Sequence, residues 1–218
     1  MRHCAYSFNG EKWFTVTDKK LLGINICAIT WGNNKFVAGG KDGSIIYSTD
    51  GENWVAVTDN KLLGININAI TWGNGKFIIA GDGGRMAYSP DGIAWTAVTD
   101  NKFDDCSIYA IVWGNDKFVA VGRNGKIAYS TDGIIWTAVT DSKFGSDYIH
   151  AIAYGNGKFA ALGYYGKTVY SSDGITWTIA TNSKFGSDEY NNIEGIAYGS
   201  GKFVVVSYYG EIGYWNAE

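Results

Sequence analysis

Proline occurs once in this 218-residue chain, as Pro90, so the turns are not built on it. Turn chemistry falls instead to the 30 glycines and to Asn and Asp, which accept the positive φ that tight hairpins need. Cysteine is nearly as scarce. Cys4, Cys27 and Cys106 are odd in number and sit at unlike offsets in the chain's internal repeat, so three free thiols are expected and a disulfide framework is not. No apolar run approaches the roughly 18–20 residues of a membrane span, so no membrane contact is expected. The stretch Met1–Tyr6 lacks the apolar segment of a secretion signal. Charge is balanced, with 18 Lys and Arg against 21 Asp and Glu, interspersed and netting −3. A nucleic-acid partner would need a basic face, so none is expected. The pattern G-x-x-x-x-G-K-S/T is missing as well, so no nucleotide or other cofactor is expected. No segment sustains a 3.6-residue apolar period, which leaves no predicted helix.

What the chain has is repetition. A tract reading A/G-I-x-W/Y-G-x-x-K-F places its ring at Trp31, Trp72, Trp113, Tyr154 and Tyr198, in steps of 41, 41, 41 and 44 residues. Self-similarity at this period, running through the chain without a composition break, predicts one domain over residues 1–218 built as a propeller or array. In the second unit, Ile67–Trp72, Lys76–Ala80, Arg85–Ser89 and Ala94–Val98 read as four short strands separated by Gly/Asn/Asp turns. Several strands are apolar on both faces, as Ala-Ile-Thr-Trp is, which suits sheets covered on both sides. The predicted fold is all-β: a five-bladed β-propeller of four-stranded antiparallel blades.

Five fourth-strand tryptophans, Trp13, Trp54, Trp95, Trp136 and Trp177, match the five heads, and the first precedes every head. The ring is therefore expected to close by pairing N- and C-terminal strands, which would leave no open edge. The third-strand motif occurs six times, ending at Tyr6, Tyr47, Tyr88, Tyr129, Tyr170 and Tyr214, one more than a closed ring needs. Glu211–Trp215 is favoured over His3–Ser7 as the paired copy, because its hairpin partner Phe203–Ser207 adjoins it. The surplus copy marks a point of self-association on what is otherwise expected to be a monomer.

The turn into the fourth strand reads Ser48-Thr49-Asp50-Gly51-Glu52-Asn53-Trp54, with counterparts at Ser89-Pro90-Asp91-Gly92, Ser130-Thr131-Asp132-Gly133 and Ser171-Ser172-Asp173-Gly174, each followed by its Trp. It resembles the Asp-box, or BNR-like, repeat of β-propellers, Ser-x-Asp-x-Gly-x-x-Trp, shortened here by one residue and carrying Asn9 in the N-terminal copy. The resemblance implies a box that serves the fold and lies away from any active centre. A sialidase-type mechanism would also need an arginine cluster, and the chain has only Arg2, Arg85 and Arg123.

Comparison among the copies separates fixed from varied positions. The first-to-second and third-to-fourth turns are nearly constant and share one face. On the other face the second-to-third turns carry Lys41-Asp42, Asp82-Gly83, Arg123-Asn124, Tyr164-Tyr165 and Tyr208-Tyr209. After an unvarying Ile come Cys27, Asn68, Tyr109, His150 and Glu194, all different. Two residues further back stand Asn25, Asn66, Ser107, Tyr148 and Asn192. Diversified loops on a rigid frame are where binding is placed. The reading favoured is a non-catalytic, lectin-like module that binds carbohydrate through this variable face, with a protein surface as the alternative partner. Tyr164, Tyr165, Tyr208 and Tyr209 form its aromatic platform, flanked by Arg123, Asn124, Tyr109, His150 and Glu194. Two other classes stay open. His150, Glu194 and Cys27, neighbours around a five-membered ring, would make an acid–base, thiol or metal site. Alternatively the near-identical copies belong to a duplicated or designed structural unit, with Leu21-Leu22 and Leu62-Leu63 as exposed hydrophobes or local plugs.

Overall fold

A computed structural model describes residues 5–16, 24–58, 64–180 and 193–216, with residue 165 described in its backbone alone. Cys4, the Leu21-Leu22 and Leu62-Leu63 pairs, Asn192 and the Tyr165 side chain lie outside the described residues. The described residues are all-β, arranged as six antiparallel sheets in chain order. A short hairpin, β1 (Ala5–Tyr6) and β2 (Phe14–Thr15), comes first. The first blade contains β3 (Ile26–Gly32), β4 (Lys35–Gly40), β5 (Ile45–Ser48) and β6 (Val55–Ala56). The second has β7 (Ile67–Gly73), β8 (Lys76–Gly81), β9 (Met86–Ser89) and β10 (Thr96–Ala97). The third has β11 (Ile108–Gly114), β12 (Lys117–Gly122), β13 (Ile127–Ser130) and β14 (Thr137–Ala138). The fourth has β15 (Ile149–Gly155), β16 (Lys158–Gly163), β17 (Thr168–Ser171) and β18 (Thr178–Ile179). The last has β19 (Ile193–Gly199), β20 (Lys202–Ser207) and β21 (Ile212–Asn216). Among the described residues no helix is long and apolar enough to cross a membrane.

Local chemistry explains these elements. The first-to-second turns place two successive residues in left-handed space, as at Asn115 (φ 44°) and Asp116 (φ 55°), the geometry that matches strand twist in a two-residue hairpin. In the third-to-fourth turn the Asp50 carboxylate accepts the backbone N–H groups of Glu52 and Asn53 at 2.9 and 2.8 Å, and the Ser48 hydroxyl accepts that of Gly51 at 2.9 Å. The Trp54 indole N–H closes the turn on the Gly51 carbonyl at 3.0 Å. The N-terminal copy makes the same bonds through Asn9 and Trp13.

The core lies between blades. β7 packs on β3, β11 on β7, β15 on β11 and β19 on β15. Apolar clusters accordingly join successive units, one of them setting Val119 and Ile127 of the third blade against Ile149 and Phe159 of the fourth. Second strands of the middle blades are buried on both faces: Phe77, Ile78, Ile79 and Ala80 are all closed to solvent. This accounts for their missing alternation.

Ring closure differs from the expectation. β2 pairs only with β1, the last sheet stops at three strands, and β19 has no comparable packing on β3 among the described elements. The side chains supply a reason. In complete blades a fourth-strand tryptophan covers the second-strand phenylalanine, as Trp136 covers Phe118. In the last blade Trp215, paired opposite Phe203 where other blades have a serine, stacks on that ring at 5.0 Å and takes the place Trp13 would need. Trp13 is left 65% exposed. The favoured third strand, around Glu211–Trp215, does pair with β20.

Candidate functional site

Every inner strand skips a pairing at the same point. Ile108 pairs with Gly122 and Ala110 with Val121, leaving Tyr109 as an extra residue. The same irregularity sets apart Cys27, Asn68, His150 and Glu194. A bulge bends the strand and re-aims one side chain. The most divergent column of the repeat is thus the bulged column.

The second-to-third turn is held beside it. Backbone N–H groups of Lys41, Asp82, Arg123 and Tyr164 donate to the carbonyls of Asn25, Asn66, Ser107 and Tyr148 at 2.9 to 3.2 Å. The approach is close enough that a Cβ at Gly122 would lie 2.2 Å from the Ser107 oxygen. Turn and inter-blade link therefore share one face. The constant turns share the other, tied across blades by Asn33 donating to the Pro90 carbonyl, Asn74 to that of Thr131 and Asn115 to that of Ser172.

On the diversified face, residues from the third and fourth blades converge. Tyr109 and His150 stack at 5.1 Å with rings 10° from parallel. Tyr164 meets His150 edge-on at 4.7 Å and lies 5.2 Å from Tyr148. The Arg123 guanidinium sits 5.4 Å above the Tyr148 ring. The second blade continues the stripe with amides: Asp82 accepts from Asn66 and Asn68 at 2.8 and 2.9 Å, and Asn68 also donates to the Ile108 carbonyl of the third blade. Glu194, on the last blade, is exposed and close enough to act on His150. Tyr208 and Tyr209 pack edge to face on one another at 5.4 Å and are 69% and 65% exposed.

Asn124 has a different explanation from the one its loop suggested. It stands at φ 58°, as Asp42 does at 57° and Gly83 at 60°, and its amide contacts the Cys106 sulfur at 3.5 Å. Left-handed backbone selects Asn, Asp or Gly there. Tyr148 is the converse: it joins the cluster although only its place in a diverging column signalled it. Asp82 was likewise legible only as one member of a variable pair.

Burial pushes the His150 imidazole below its ordinary value, with Glu194 acting the other way. Its Nε2 is buried without a hydrogen-bond partner. Burial also raises the Tyr109 phenol, reinforced by Tyr148 and opposed by Arg123. His150, stacked on Tyr109 and met edge-on by Tyr164, is held as a packing element. Among the described residues no three His, Cys, Asp or Glu side chains gather as metal ligands do.

These features define a β-propeller repeat fold with one diversified face. The chain superposes over 95% of its length on 74% of YCF48 from Cyanidioschyzon merolae, at TM-score 0.69 and 19% identity. It superposes over 88% of its length on 65% of a structure described as YCF48 bound to D1 peptide, at TM-score 0.66 and 15% identity, so it spans just under two thirds of that chain. The computationally designed Ika4 protein matches 74% of the chain over 96% of its own length, at TM-score 0.58 and 12% identity. At these identities the likeness is one of fold. No protein-family model and no curated protein sequence matches the chain.

Proposed function

We propose that the chain is a non-catalytic recognition propeller, its five units serving as successive blades, and that its diversified face binds an extended protein segment. The observation that carries this reading is the stripe of Tyr109, Tyr148, His150, Tyr164 and Arg123, assembled from bulged, link and turn positions that vary while the opposite face stays constant. Tyrosine and arginine are enriched in protein-binding hot spots, tyrosine because it brings large contact area on two rotatable bonds and arginine because its planar guanidinium offers a fork of donors. The asparagines around Asp82 would meet the backbone amides of an extended segment. The neighbouring fold that is solved with a peptide supports the same class of partner.

A glycan is the second reading, favoured by the exposed rings of Tyr208 and Tyr209, which offer free faces to stack on sugar C–H groups. Rings in the Tyr109–His150 stack are already turned to one another. Chemistry at His150 and Glu194 is disfavoured by the packing of that imidazole.

Peptides selected against the chain from a random display library test the proposal. Tyr148→Ala and Arg123→Ala should each weaken the best peptide by roughly tenfold or more in calorimetric titration. Asn74→Ser, on the constant face, should leave it unchanged. Peptides indifferent to both face variants would refute the reading. Glycan-array binding abolished by Tyr208→Ala would replace it with the glycan reading.

A further inference from the structure

Four times in the molecule a ring of one blade covers a glycine of the blade before. Trp72 lies on Gly32, Trp113 on Gly73, Tyr154 on Gly114 and Tyr198 on Gly155, so tightly that a Cβ there would stand 2.2, 2.3, 2.1 and 2.0 Å from the ring. Beside this contact the third-to-fourth turn glycine of the second, third and fourth blades rests on the second strand of the preceding blade. Gly92 meets Val37, Gly133 meets Ile78 and Gly174 meets Val119. A lysine crosses the same seam: the Lys35 ammonium donates to the Asp91 carbonyl at 2.8 Å.

Each end of the series keeps one half of this seam. On the first blade, Trp31 and Ile29 are 49% and 56% exposed, although Ile70, Ile111 and Ile152 at the same offset are buried. Gly51 touches only Phe36 of its own blade. On the last blade, Gly199 faces open space. Val204 and Val206 are 38% and 41% exposed, although the aligned Ala160 and Leu162 are buried. Lys202 stands over the Tyr214 ring at 4.7 Å, in the pose of Lys35 over Tyr47.

We propose that these two faces are the halves of one interface, and that a second copy of this chain docks there head to tail, Trp31 seating on Gly199, Gly51 on Val204, and Lys202 reaching the Asp50 turn. The occupant follows from register: each exposed group on one end has, at the repeat offset, its partner exposed on the other, and the ring-on-glycine contact is already made between every adjacent pair of blades. The contact is heterologous, so it propagates until rotation closes the assembly. β21 of the incoming copy and β1 claim one third-strand place. The β1–β2 hairpin, with Phe8 and Trp13 exposed, is the more lightly held and swings aside.

Light scattering after gel filtration tests this from micromolar to hundreds of micromolar chain. The wild-type mass should rise with concentration. Trp31→Ala and Gly199→Val should each remain monomeric, the latter with unchanged melting temperature because that position is open. Mixed one to one, the two variants should give a dimer and nothing larger, since the pair retains one intact head and one intact tail. Should either variant misfold by circular dichroism, Ile29→Ser and Val206→Ser carry the same head and tail tests. A monomeric wild type across the range, a variant that keeps the wild-type mass profile, or a mixture that stays monomeric overturns the proposal.

Discussion

Replacing Gly114 by alanine should destabilise the protein, whereas the same change at Gly199 should not. Both glycines end an inner strand at the same repeat offset, and neither has positive φ, so backbone conformation does not separate them. They differ in what covers them. A Cβ at Gly114 would stand 2.1 Å from Cγ of Tyr154, with the ring's Cδ1 and Cδ2 at 2.4 and 2.6 Å. Carbon pairs settle at about 3.5–4.0 Å, so the ring must withdraw by more than an ångström. The clashing atoms are the root of the ring, so a change of rotamer does not clear them and β15 itself must shift. Overpacking of this kind costs about 1–3 kcal/mol. Alanine returns about 0.4–1 kcal/mol by restricting the unfolded chain. The net loss at Gly114 is about 1–2 kcal/mol, and at Gly199, open to solvent, only the gain remains. With about 2–4 °C per kcal/mol for a chain near this length, Gly114→Ala should melt roughly 2–8 °C lower and Gly199→Ala at or slightly above wild type. Calorimetry at low protein concentration, where copies do not dock, measures both. Equal melting temperatures for the two variants would refute the account of how the blades are spaced.

Three further outcomes follow from the packing and the turns. The Asp173 carboxyl is held down to about 2: burial opposes this, but the N–H groups of Thr176 and Ile175 and the Ser171 hydroxyl outweigh it. Its folded value lies below its unfolded one, so its contribution is complete above about pH 4 and is lost as pH falls toward 2; Asp173→Asn, which keeps the acceptor as Asn9 does, should flatten the acid limb of a melting-temperature-against-pH curve. Phe144, buried in the link between the third and fourth blades, should cost about 3–5 kcal/mol when cut to alanine, read by urea unfolding. Trp177→Ala should cost a similar amount because that indole is buried, while Trp13→Ala should shift the urea midpoint little.

Much of the architecture was legible because it was written several times. Strand positions, turn types and the division into a constant and a diversified face all follow from copies that agree or differ at known offsets. The turn geometry was readable in Asn-Gly and Asn-Asp pairs, whose left-handed φ the structure shows at Asn74 and Asn115. Closure was not legible. Counting tryptophans treated Trp13 as the partner of the last blade, but the count is blind to Trp215, which stands in a serine's place and covers Phe203 first. The site was legible as columns and not as contacts. Tyr109, His150 and Tyr164 were marked by divergence, yet their convergence depends on bulges that no local pattern announces. Among the links, Leu62 is outside the described residues, whereas Phe103 at the same offset is a buried plug.

A left-handed residue in the first three diversified turns sets a limit on how such a surface can be varied. Asp42, Gly83 and Asn124 answer to the chain's own torsions, so a library that randomised those sites would fill with strained, poorly folding members. Productive variation belongs at the preceding residue and at the bulge, which between them give two independent letters per unit. A designer seeking new specificities from this architecture would write only in those letters and leave the torsional one alone.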